Sequence, residues 1–86
     1  MKTIIIAVRD QKANVFTQPF TAPSRGVALR SWGDQLNDPD NAKSEQVKHP
    51  EDFSLWQIGE YDDQTGDIVV QKPEQLVIAS DLRIKA

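Results

Sequence analysis

The run Ile4-Ile5-Ile6-Ala7-Val8, flanked by Lys2 and Arg9, constrains this chain more than any other stretch. It is uninterrupted, apolar and almost wholly β-branched, which is the pattern of a strand covered on both faces. Such a strand belongs in the middle of a sheet. With 86 residues in all, the chain has room for one domain, residues 1–86, with one further layer to cover that sheet. A domain this short buries only ~60–65% of its unfolded surface, so its core is thin. It also lacks cysteine, which removes disulfides and the commonest zinc sites. Self-association is the remaining route to extra stability, and a homodimer or higher homo-oligomer is expected.

After the first strand, Asp10–Asn14 reads as a polar turn and Val15-Phe16-Thr17 as a short edge strand halted by Pro19. Ser24 is a candidate N-cap. Ala28, Leu29, Trp32 and Leu36 recur at helical spacing, which predicts an α-helix over about residues 24–37. Gly26 and Gly33 weaken it by ~1 kcal/mol each relative to alanine, so tertiary packing must hold it. Trp32 is the expected anchor, and Asn37-Asp38-Pro39 is the expected stop. Residues 39–48 carry few apolar side chains and read as an exposed, mobile loop.

Phe53–Tyr61 alternates imperfectly, as a bulge near Leu55 or burial of both faces would cause; Trp56 is expected to be buried in this strand. Asp62–Gly66 has the acidic start and late glycine of a type I turn closed by a left-handed residue, leading into a strand over 67–71. Lys72-Pro73-Glu74 is read as an interruption. Leu76, Ile78, Leu82 and Ile84 then suggest a last strand, with a helix starting at Pro73 as the alternative. The expected class is α+β: a small antiparallel or mixed sheet of about five strands with one α-helix packed on one face. The edges expected to pair two copies are those around Val15 and Ile78.

Ten Lys/Arg against thirteen Asp/Glu give a formal charge of −3, opposite to that of a protein coating nucleic acid indiscriminately. Any DNA contact must be local. The apolar stretch ending at Val8 is too short for a signal peptide or for the ~20 residues of a bilayer span, so a cytoplasmic protein without membrane contact is expected. His49, with Glu51 and Asp52 close behind, has the composition of a base oriented by a carboxylate or of a metal site. Proline followed by two acids equally makes a first helical turn, and that reading is preferred. Asp62, Asp63 and Asp67 do not follow calcium-loop spacing and read as a solvated turn. No enzyme, cofactor or metal site is expected, since neither a nucleophile motif nor a phosphate loop occurs.

The first half is locally basic. Arg9, Lys12, Arg25 and Arg30 lie among only two acids, Asp10 and Asp34, before Asp38. Phe16 and Phe20 interleave with them, and arginines beside exposed aromatics suit single-stranded DNA, whose bases stack while its phosphates are paired. These six residues form the candidate DNA-binding set. Phenylalanines in a core beside an ordinary solvated face are the alternative. Lys72 and Lys85 stand outside the patch.

Several strings in order, Gln18-Pro19-Phe20, Arg25–Ser31, Asn37-Asp38-Pro39, His49–Leu55, Ile58-Gly59 and Tyr61–Gly66, resemble the small non-structural protein of gokushoviruses, microviruses with single-stranded DNA that infect bacteria. The resemblance implies a non-enzymatic accessory protein in the host-cell cytoplasm, outside the mature virion. It would bind single-stranded viral DNA and couple replication to packaging, with the replication initiator or procapsid proteins as partners. The alternative is an adaptor that regulates the replication initiator or a host factor without contacting DNA.

Overall fold

A computed structural model of the chain describes residues 1–84. The Ile4–Val8 run lies inside β1 (Lys2–Asp10), which occupies the middle of a five-stranded antiparallel sheet. On one side β1 pairs with β4 (Phe53–Asp62) along its whole length. On the other side it pairs with two short strands in turn, β2 (Val15–Phe16) beside Arg9 and Asp10, and β3 (Phe20–Ala22) beside Ile4–Ile6. The sequence showed only the first of these. Gln18-Pro19 interrupts what is otherwise one strand, because proline has no N–H to donate to the ladder. Thr17 spans the break: its amide donates to the Val8 carbonyl at 2.7 Å, and its hydroxyl accepts from the Val8 amide at 3.2 Å.

β4 in turn pairs with the edge strand β5 (Ile68–Ile78). The expected break at Lys72–Glu74 does not end the strand. Register shifts between Gln57 and Gly59, opposite Val70 and Glu74, instead leave Gln71, Lys72 and Pro73 in a bulge. An edge strand tolerates proline there, since one side of it needs no donor. Among the described residues there is therefore no separate last strand. Leu82 belongs instead to α3 (Ala79–Leu82), a single helical turn that follows β5 directly.

The main helix, α1, spans Arg25–Leu36, and the Ser24 hydroxyl accepts from the Val27 amide at 3.2 Å as its N-cap. Its buried stripe is Ala28, Trp32 and Leu36. That stripe packs with Ile6 and Val8 of β1, Ala22 of β3, and Phe53 and Leu55 of β4. One face of the sheet is thus covered. The C-terminal turn closes over the end of α1, where the Asn37 side-chain Nδ2 donates to the carbonyls of Gly33 and Leu82 and Arg83 donates to the Leu36 carbonyl.

Residues 39–48 carry more structure than a plain loop. They contain a 3-10 turn at Pro39–Asn41 and the short helix α2 (Glu45–Lys48). Gln46 ties them down by accepting from the Trp32 indole N–H at 3.0 Å. The indole needs that partner because the ring is only 3% exposed.

Candidate nucleic-acid interface

Alternation along β4 sends Phe53, Leu55 and Gln57 toward the helix. Ser54 and Trp56 therefore point to the opposite face, where no helix of the described residues packs. The register shifts between Leu55 and Trp56 and between Gln57 and Gly59 account for the imperfect sequence pattern. Trp56 is consequently half-buried on the open face rather than a core residue as expected. Ala7 lies directly opposite it on β1, and Phe16 lies opposite Arg9 across the β1–β2 pair.

These neighbours form a small platform. The Phe16 ring meets the Trp56 ring edge to face, with centroids 5.7 Å apart. The Arg9 guanidinium carbon lies 5.9 Å from the Phe16 centroid, within the range of a cation–π contact. Arg9 also donates to the Asn14 side-chain oxygen. Asn14 occupies the left-handed region at φ 59°, in the turn between β1 and β2, and Asp10 caps that turn by accepting from the amides of Lys12 and Ala13. The turn places Lys12, an exposed residue, at the same end of the sheet. Further along the sheet, Ile5, Pro19, Phe20, Thr21, Tyr61 and Ile68 line a shallow apolar groove of about 320 Å³.

The six candidate residues therefore separate. Arg9 and Phe16 meet at the platform, Lys12 sits in the adjoining β1–β2 turn, and Phe20 lines the neighbouring groove. Arg25 and Arg30 ride on α1, across the sheet. Arg25 is already engaged. Its Nε donates to Gln57 Oε1 at 2.6 Å, and its guanidinium pairs with Glu74 at 2.9 Å. Gln57, only 4% exposed, completes the chain by donating to Gln71 at 3.0 Å. Every polar atom of a buried amide needs such a partner, so Arg25 works here as a clamp between helix and sheet. Arg30 is exposed on the helix. Lys85 lies outside the described residues.

Trp56 is the residue that sequence reasoning misplaced. Strand parity was the available signal, because Phe53 and Leu55 share one phase and Trp56 the other. Once the helix claims the first phase, Trp56 must face away.

The other candidate clusters fit structural roles. Pro50–Asp52 forms a 3-10 turn opening with proline and leading into β4. His49, Glu51 and Asp52 offer ligand atoms within 4.8 Å of one another, and His49 also faces Glu45 at 3.7 Å. Asp62 accepts from the Gln64 amide, and Gly66 closes the β4–β5 turn at φ 79°, the acidic start and left-handed glycine expected from sequence. Asp63 pairs with the Met1 amino group at 2.6 Å.

Fold and site together define a small α+β protein whose sheet has one face sealed by a helix and one open face bearing aromatic and basic side chains. No curated protein and no solved structure shows significant similarity to it. The chain belongs to the family described as Phage ORF5 protein, whose family model matches residues 3–82. It is thus a bacteriophage protein. Among the described residues no helix is long and apolar enough to cross a membrane.

Proposed function

We propose that this protein is a non-enzymatic accessory protein of a gokushovirus-like phage. It binds single-stranded viral DNA on its open sheet face and couples genome replication to procapsid filling in the host cytoplasm. The observation that carries this reading is the Arg9–Phe16–Trp56 platform, two aromatic rings and a guanidinium held together on an uncovered sheet. Bases stack on such rings whatever their identity, and the cation pairs with the adjacent phosphate. A single strand suits the surface better than a duplex, whose bases are already stacked. The formal charge of −3 limits the contact to this patch and leaves the rest of the surface for viral proteins.

That same charge favours the second reading, an adaptor that acts on the replication initiator or a host factor and never touches DNA. Fluorescence anisotropy with labelled single-stranded and duplex oligonucleotides at low and moderate salt separates the two. The DNA reading requires salt-sensitive binding that prefers the single strand; no binding at low salt leaves the adaptor.

A further inference from the structure

The largest concentration of exposed apolar side chains lies away from the platform, on β5. Ile68, Val69 and Val70 are 62%, 61% and 82% exposed, although they sit within a strand. β5 is the last strand of the sheet, so its outer edge is unpaired among the described residues. Natural edges are normally blunted by charge, proline or extreme shortness. The other edge is blunted in that way, since β2 and β3 have two and three residues with Pro19 between them. The second half of β5 carries Lys72, Pro73 and Glu74. The Ile68–Val70 stretch has none of these protections.

We propose that a second copy of this chain pairs antiparallel with this edge, in the register that sets Val69 opposite the second copy's Val69. The ladder determines the register. The Asp62 amide donates to the Asp67 carbonyl at 3.0 Å, and antiparallel bonding alternates from there, so Val69 directs its backbone groups toward β4 while Ile68 and Val70 direct theirs outward. Pairing about Val69 sets Ile68 of each copy against Val70 of the other, with reciprocal backbone hydrogen bonds. Val69 meets Val69 as a non-hydrogen-bonded pair, where side chains approach most closely. Three β-branched residues read alike in both directions, as a two-fold interface requires.

Charge agrees with this register. Past the apolar centre, antiparallel pairing brings the end of the stretch that leads to Lys72 in each copy toward the turn of the other that carries Asp62, Asp63 and Asp67. The cation of one copy thus approaches the acidic turn of its twin, twice by symmetry. The edge differs from both positions expected from sequence, lying downstream of Val15 and upstream of Ile78; Ile78 is half-buried, pairs with Ser54 and leads straight into α3. The two-fold axis stands perpendicular to the sheet, which keeps both open faces on the same side. This pairing does not depend on DNA binding.

The chain has no cysteine of its own, so an introduced one reports a single contact. Sedimentation equilibrium of the wild-type protein at about 100 µM should give a dimer mass. Val69→Lys, at an exposed position, should give a monomer with the wild-type circular-dichroism spectrum and a melting temperature lowered only by the stabilisation that association supplied, because it sets like charges face to face. Under mild oxidation Val69→Cys should form a covalent dimer readily, and Val70→Cys should not, since only the first brings two sulfurs within bonding distance. A wild-type monomer at that concentration overturns the proposal, as does a dimer that Val69→Lys leaves intact. If Val69→Lys fails to fold, the cysteine pair decides: equal cross-linking of both variants, or of neither, rejects this register.

Discussion

Trp32 and Trp56 lie on opposite sides of one sheet, and their surroundings differ in every respect that matters for function. Trp32 projects from α1 into a cluster with Ile6, Leu55 and Leu36, and is 3% exposed. Its indole N–H reaches Gln46 in the following segment, so the ring joins helix, sheet and loop. Among the described residues Trp56 has no layer above it. It leans against Phe16, and its N–H donates to Ser54 two residues away on the same strand. The first ring is held by the rest of the molecule; the second is held by its own strand and one neighbour. A residue used for packing loses its freedom to bind, and this sheet keeps the two uses on separate faces.

Truncating Trp32 tests the packed side and has the largest expected effect. Trp32→Ala should cost about 3–5 kcal/mol, the range for deleting a large core aromatic, and in a domain this small that approaches the total stability. Urea denaturation followed by circular dichroism measures it. An unchanged midpoint would mean that α1 does not seal the sheet through this ring.

Gly59 tests how β5 is attached to the rest. A Cβ at this position would lie 2.6 Å from the Val69 carbonyl oxygen, closer than side-chain carbons approach backbone, so the start of β5 must move away. Gly59→Ala should cost about 1–3 kcal/mol, as overpacking does. Hydrogen exchange should show the loss concentrated at the Val69 amide and at Glu60 opposite it, with the α1 amides little changed. Uniform loss across the chain would show that the β4–β5 hairpin and the helix layer unfold as one unit.

The two faces were not equally legible in the sequence. The helix was readable because Ser24, the Ala28–Trp32–Leu36 stripe and the Asn37-Asp38-Pro39 stop are local signals that act within a few residues. The β4–β5 turn was readable for the same reason. Pro73 misled because its effect depends on whether the strand has a neighbour on its outer side, which no local pattern encodes. β3 was hidden because three residues carry too little periodicity. The binding set was only half legible: sequence proximity grouped Arg25 with Arg9, whereas Arg25 belongs to Glu74 and Gln57, partners brought to it by the sheet. Charge composition counts cations without showing which are already paired.

Trp56→Ala tests the open side. It should leave the fold in place while weakening single-strand binding by about 1–3 kcal/mol, the usual contribution of one stacked base. Tryptophan emission offers a direct reading, because oligonucleotide binding should quench Trp56 and leave buried Trp32 as an internal constant. Quenching lost in Trp56→Phe, with affinity largely kept, would identify stacking as the source of the binding. Affinity unchanged in Trp56→Ala would remove the platform from the DNA reading.

The smallest effect separates the two arginines that sequence placed together. Arg9 is held over Phe16 on the open face, and no carboxylate neutralises it among the ion pairs of the described residues. Arg25 is neutralised by Glu74 and lies across the sheet. A cation already paired with a carboxylate releases little counterion when DNA binds, so it contributes little to the salt dependence. Arg9→Ala should therefore lower the log-log salt slope of single-strand binding by about 0.7, the value for one phosphate contact, and Arg25→Ala should leave it nearly unchanged. Stability should respond in the reverse order, because losing Arg25 leaves the buried Gln57 oxygen without its donor, which costs about 1–3 kcal/mol. Equal slopes for the two variants, both shown to be folded, would mean that the contact surface wraps onto the helix side, and the division of labour between the faces would fail.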